Sequence, residues 1–106
     1  MITRNSSHLT ARFIASVFAF LIAATGCAIA PPVQEMSDAR QAIRAAIDAD
    51  AEEYAPRTLQ AAQLLMDTAA GDLDQGEYEQ ARQAARAARQ KAMEARDQAL
   101  TAQENE

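Results

Sequence analysis

The chain has 106 residues, of which 49% are hydrophobic and 24% charged, and its formal net charge is −5 at pH 7. All 15 acidic side chains and eight of the ten basic ones follow residue 26, so that part has a net charge of −7. Such a chain is expected to bind neither nucleic acid nor an anionic bilayer through its net charge. Its single cysteine, Cys27, excludes an intrachain disulfide.

The first 26 residues have the pattern of an export signal. Arg4 and Arg12 are the only charges before a predominantly apolar run over residues 13–24. A short basic segment followed by about 7–15 apolar residues is typical of a signal peptide, and the run is too short to span a bilayer. Residues 1–26 are therefore predicted to be a cleaved signal peptide, and His8 would leave with it.

The apolar run ends in Ala-Ala-Thr-Gly-Cys, residues 23–27. This segment resembles the lipobox of bacterial lipoproteins, although Ala24 stands where that motif most often has leucine. The resemblance implies a covalent lipid on Cys27; the alternative is an ordinary signal peptide followed by a free thiol. Two or three acyl chains would anchor the protein stably. Ala28 follows the cysteine, and by resemblance to sorted lipoproteins the lack of aspartate there implies the outer membrane, facing the periplasm.

Residues 27–33 contain Pro31 and Pro32 and are predicted to form a short tether with a reach of about 20–25 Å. A first helix is predicted over about 34–51. One face of it contains Met36, Ala39 and Ile43 at three- and four-residue steps, the period of a helix surface.

Pro56 predicts the start of a second helix. The residue before a proline avoids the α region, and proline is well suited to the first helical position. Gly76 is suited to a left-handed residue that ends a helix. The second helix is therefore predicted over about 56–74.

A third helix is predicted over about 77–103. Its alanines repeat with 3-4 spacing and form a narrow face that a neighbouring helix can approach closely. The expected fold is all-α, a small alanine-rich antiparallel three-helix hairpin or bundle over residues 34–103. Counting residues across the Gly76 turn pairs Leu59 with Ala92, so residues 96–103 are expected to project beyond the second helix.

Four segments resemble one bacterial family. They are Asp38–Ile43, Glu53–Pro56, Leu59–Ala62 and Gly76–Ala81. The chain is similar over about residues 34–103 to the domain of unknown function 4398 (DUF4398). The resemblance implies a helical envelope lipoprotein with no assigned biochemical role. A weaker likeness to a tetratricopeptide repeat covers only one helical hairpin, whereas such repeats need about three neighbours for stability.

Little in the sequence suggests catalysis. After the signal peptide there is no histidine and no second cysteine, so a zinc site of the usual type and a histidine base are both excluded. We expect no enzymatic activity, no metal and no cofactor beyond the lipid on Cys27. The acidic segment 48–53 lacks the glycine of an EF-hand loop, so a solvated turn is favoured over a calcium site.

The third helix contains the main interaction candidates. An arginine stripe, defined as Arg82, Arg86, Arg89 and Arg96, runs beside the alanine face. The favoured interpretation is that it faces acidic helices of its own chain or of a neighbouring subunit; the alternative is a docking face for an acidic protein or a lipid phosphate. Leu100 is a second candidate, for which a frayed helix end is the favoured alternative.

These features predict a non-catalytic outer-membrane lipoprotein that acts as a structural or adaptor module through helix–helix association. A module that binds a peptide or an envelope glycan is the alternative. The expected partners are the membrane, through the lipid, and either a second copy or an envelope protein. Neither nucleic acid nor a small-molecule substrate is expected.

Overall fold

The structure, a computed structural model, describes residues 30–106, and within them it contains helices and turns but no strand. Three long helices and one short helix pack together, which confirms the predicted all-α class. None of these four helices has the length and apolar character that a bilayer span requires. The predicted signal peptide and Cys27 lie outside the described residues. The helices are α1 (Val33–Asp48), α2 (Ala51–Tyr54), α3 (Pro56–Asp74) and α4 (Tyr78–Glu104).

The first helix ends earlier than the sequence predicts. A single helix to residue 51 is wrong, because α1 ends at Asp48 and Asp50 adopts a left-handed conformation with φ 62°. Aspartate tolerates this conformation better than most residues, since its short polar side chain can bond locally. The chain then makes the four-residue helix α2, in which Ala51 is fully buried.

Local chemistry sets both ends of α3, which begins and ends at the residues predicted. Pro56 is its first residue, and Ala55 before it lies outside the α region with φ −144° and ψ 51°. At the other end Gly76 is left-handed with φ 76°, and its N–H donates to the carbonyl of Leu73 at 3.0 Å. The Glu77 N–H donates to the Asp72 carbonyl at 2.8 Å, so the exposed carbonyls at the end of the helix are satisfied.

The three long helices run up, down and up, so α1 is parallel to α4. Glu35, near the start of α1, contacts Arg82, near the start of α4. Ala49, just after α1, accepts a hydrogen bond from Gln103, near the end of α4. Helix α3 is antiparallel to both, and α4 packs extensively on each of the others while α1 and α3 touch each other far less. The last helix is therefore the centre of the fold.

The core is thin because α4 contributes only alanine to it. The larger buried side chains come from α1 and α3, and they meet small residues of α4 in two clusters. Small side chains let the helices approach closely, but a core of this size rarely supplies more than about 3–5 kcal/mol of stability. The fully buried alanines of α4 are Ala81, Ala85, Ala88, Ala92, Ala95 and Ala99.

The final turns of α4 do not project from the bundle, so that expectation is wrong. Ala95 and Ala99 are fully buried in a cluster with Ala51 and Leu59. The amide of Gln103 donates to the Ala49 carbonyl at 2.7 Å, and the helix continues to Glu104. The expectation paired Leu59 with Ala92, whereas Leu59 packs with Ala95 and Ala99. The end of α1 and helix α2 also cover these turns.

Candidate functional site

Arg82 is bound to its own chain. Its Nε lies 3.1 Å from Glu35 Oε1, its Nη1 lies 2.9 Å from Glu79 Oε2, and its Nη2 donates to the carbonyl of Ala30 at 3.1 Å. The guanidinium therefore joins the segment before α1 to the start of α4. Pro32 in that segment is fully buried. This end of the arginine stripe faces an acidic helix of the same chain and has a structural role.

Glu35 forms ion pairs with two of the arginines. Besides Arg82, Arg86 places its Nη2 3.7 Å from Glu35 Oε1. A hydrogen bond from its own backbone N–H holds the pKa of Glu35 below its usual range, and the Arg82 and Arg86 charges act in the same direction. Glu35 lies 47 positions from Arg82, so no local spacing in the sequence marks it as a partner.

Acid is expected to weaken the contact between α1 and α4. A carboxyl whose folded-state pKa is depressed stabilises the fold above its unfolded-state pKa, near 4.5, and that contribution is lost as the pH falls through the folded-state pKa. The Tm difference between the parent protein and Glu35→Gln should therefore be present at neutral pH and vanish in strong acid. The matched control is Glu52→Gln, at an exposed position of α2. A Glu35→Gln difference that does not change with pH would show that the contact is not ionic.

The other arginines of the stripe are more exposed to solvent. The Arg86 side chain is 64% exposed despite its contact with Glu35. Within residues 30–106 neither Arg89 nor Arg96 makes an ion pair, and both are exposed. The stripe thus has one end that is bound and a longer part that is available for a partner.

Two large apolar side chains lie among these arginines. Met93 is 47% exposed and Leu100 is 39% exposed. Arg89 and Met93 border a shallow groove whose opposite wall is α1. That wall consists of Asp38, Gln41, Ala42 and Ala45. Leu100 belongs to a continuous helix whose end is tied to Ala49 through Gln103, so it is not part of a frayed terminus.

The other side of Met93 borders a second surface depression. All of its lining residues belong to α4, so it is an open helix surface and not an enclosed pocket. A third groove lies between α1 and α3 and combines apolar and charged side chains. That groove is lined by Arg40, Ile43, Arg44, Gln63, Met66 and Asp67.

A hydrogen bond joins Tyr54, the last residue of α2, to Glu106 at the C-terminus. The hydroxyl of Tyr54 lies 3.0 Å from both carboxylate oxygens of Glu106. This bond raises the pKa of Tyr54, because the neutral hydroxyl donates to the carboxylate. In the part of the chain that the structure describes, no three acidic, histidine or cysteine side chains come together to hold a metal ion.

Comparison with known families identifies the family of this chain. The model of a domain of unknown function, DUF4398, matches residues 34–106. The chain belongs to this family. The match covers α1 to α4 apart from the first residue of α1, so it includes the arginine stripe and Leu100. No curated protein and no solved structure matches the chain.

Proposed function

We propose that this DUF4398 protein is a non-catalytic outer-membrane lipoprotein that acts as a structural or adaptor module through helix–helix association. The observation that supports it is the outer face of α4, where Met93 and Leu100 are exposed among Arg86, Arg89 and Arg96. Exposed apolar side chains beside solvent-exposed arginines are typical of a surface that binds another protein.

The lipid anchor of this proposal rests on the lipobox-like residues 23–27, and the periplasmic outer-membrane location on Ala28. Because Arg82 holds the Ala30 carbonyl and Pro32 is buried, few residues remain between Cys27 and the bundle. A stretch of three residues spans at most about 10 Å. The bundle would then stand close to the membrane, with the starts of α1 and α4 nearest to it. The opposite end of the bundle, which contains Tyr54, would point into the periplasm.

The non-catalytic part rests on composition. From Cys27 onward the chain has no histidine and no second cysteine, so a nucleophile such as Ser37 lacks the usual base. The charged side chains of α4 lie on an open helix surface, where water screens them and weakens their effect on a reacting group.

Photo-crosslinking in cells tests the proposal directly. A photoreactive residue at Arg86 of the full-length lipoprotein should give adducts to a second copy or to one envelope protein, identified by mass spectrometry. Cys27→Ser should abolish the lipid-dependent gel mobility and the adducts to a membrane-bound envelope protein, since the chain would lose its anchor. A matched probe at Leu64, 59% exposed on α3, should give few adducts. Equal labelling of many proteins from both positions would contradict a specific association.

The groove between α1 and α3 supports a second candidate, a module that binds a peptide or an envelope glycan. Arg40 and Arg44 at this groove could bind an acidic group while Ile43 and Met66 contact an apolar one. A photoreactive residue at Arg44 distinguishes the two. Adducts of glycan or short peptide from Arg44, with none from Arg86, would favour this second function.

A further inference from the structure

Two ridges on the outer face of α4 have the same chemical order. Residues four apart on a helix form a ridge along its surface. In both ridges a basic residue is followed by an apolar one and then by an acidic one, with a shift of seven residues between the ridges. All six side chains are exposed. The ridges are Arg89, Met93 and Asp97, and Arg96, Leu100 and Glu104.

The four charged ends of these ridges have no ionic partner within residues 30–106. The ion pairs of α4 in that range involve other residues, namely Arg82, Arg86 and Lys91. Arg89 cannot pair with Asp97 either, because a separation of eight residues places them about 12 Å apart along the helix axis. Water solvates these exposed charges, and no ion pair within residues 30–106 holds any of the four, so all four are available to a second chain.

The order of basic, apolar and acidic groups is complementary to itself when a second copy lies antiparallel. With a two-fold axis between Arg96 and Asp97, Arg96 lies opposite Asp97 of the partner subunit. In the same register Met93 lies opposite Leu100 of the partner subunit, and Arg89 opposite Glu104 of the partner subunit. Every one of these pairings is favourable, and the two-fold symmetry repeats each of them.

Charge selects the direction of the pair. In a parallel arrangement each arginine would lie opposite the same arginine of the other chain, and each acid opposite the same acid, and such like-charge contacts oppose association. The antiparallel arrangement uses residues 89–104 of both chains, a length of about 24 Å. Met93 borders an open groove against α1, which leaves space beside its side chain.

We infer that the occupant of this face is a second copy of the same chain, bound antiparallel through α4 with the two-fold axis between Arg96 and Asp97. The inference rests on the helix–helix association proposed above and names its partner and register. The pairing also adds to the stability that the thin core supplies, because the apolar side chains of the outer face are buried against the other copy.

Disulfide crosslinking in cells tests the register. Two full-length variants, one with Met93→Cys and the other with Leu100→Cys, are produced in the same cells with distinguishable tags. The cells are then treated with an oxidant. Mixed dimers should form efficiently, and Met93→Cys alone should give about tenfold less, since the two copies of residue 93 lie about 10 Å apart along the axis. The parent chain controls for the Cys27 thiol, and Leu64→Cys controls for random collision of an exposed α3 position.

A charge exchange provides the second measurement. Asp97→Arg should lower the mixed crosslink about tenfold by placing Arg96 opposite an arginine, and the double variant Arg96→Glu with Asp97→Arg should restore it. Both positions are exposed, and the helix content of each variant is checked by circular dichroism. Efficient crosslinking of Met93→Cys alone would overturn the inference in favour of a parallel pair. Absence of every crosslink, while the Arg86 probe still labels another envelope protein, would overturn it and leave the proposed function intact.

Discussion

Replacing Ala88 with leucine is expected to lower the free energy of unfolding by about 1–3 kcal/mol. Ala88 is fully buried on α4 and belongs to the cluster that contains Met36 and Met66. Three extra carbons at this position must force α4 away from its neighbours, because the helices meet over alanine. Since the core supplies only about 3–5 kcal/mol, this change would remove a large fraction of the stability.

Urea denaturation of the purified protein, followed by circular dichroism, measures this effect. The matched control is Ala87→Leu, the same exchange at the preceding residue, which is only partly buried. It should change stability much less. Equal stability of Ala88→Leu and the parent protein would mean that α4 does not approach its neighbours as closely as its buried alanines indicate.

Replacing Leu59 with alanine is expected to lower the free energy of unfolding by about 2–5 kcal/mol. Leu59 is 3% exposed and is the largest buried side chain in the cluster around Ala51, Ala95 and Ala99. The other buried members of this cluster are alanines, whose side chains are too short to fill the cavity that the loss of Leu59 creates. The effect should include the end of α4, because Ala95 and Ala99 pack in the same cluster.

Leu64→Ala is the matched control, since it makes the same chemical change on the same helix at a position that is 59% exposed. A surface substitution of this kind usually changes stability by less than about 0.5 kcal/mol. Thermal unfolding of the two variants side by side gives the comparison. If both variants lost the same stability, burial of Leu59 would not explain the effect.

Under the lipoprotein proposal, Arg82 determines how the bundle is oriented at the membrane. The guanidinium bonds to the Ala30 carbonyl and to Glu35, so it restrains the point at which the chain enters the bundle. Arg86, one turn further along α4, has only the longer contact with Glu35. One stripe of identical residues therefore divides into a structural part and a part that is available to a partner.

Local chemistry was sufficient to predict most of the helical architecture from the sequence. Pro56 lacks an N–H and restricts the residue before it, so it marks the start of α3 without any tertiary information. Gly76 adopts the left-handed conformation that ends a helix. The 3-4 spacing of alanines likewise predicted the buried face of α4, because the helical period alone places those residues on one side.

The break at Asp50 could not be predicted in the same way. A single left-handed residue separates α1 from α2, and no glycine or proline marks it. Aspartate is compatible with a helix, a cap or a turn, so its conformation follows from what the chain gains by bending there. That gain is the burial of Ala51 and Ala55 against α3 and α4, which is a tertiary contact.

The sequence by itself therefore determined the all-α class, the ends of α3 and the buried face of α4, because each depends on residues within a few positions of one another. Only the tertiary structure decided that α1 lies parallel to α4, that Arg82 bonds to Glu35 and Ala30, and that the last turns of α4 are covered. These contacts join residues about fifty positions apart, as the pair of Gln103 and Ala49 illustrates. Helical periodicity indicates which face of a helix is buried, but which helix covers that face depends on how the whole chain packs.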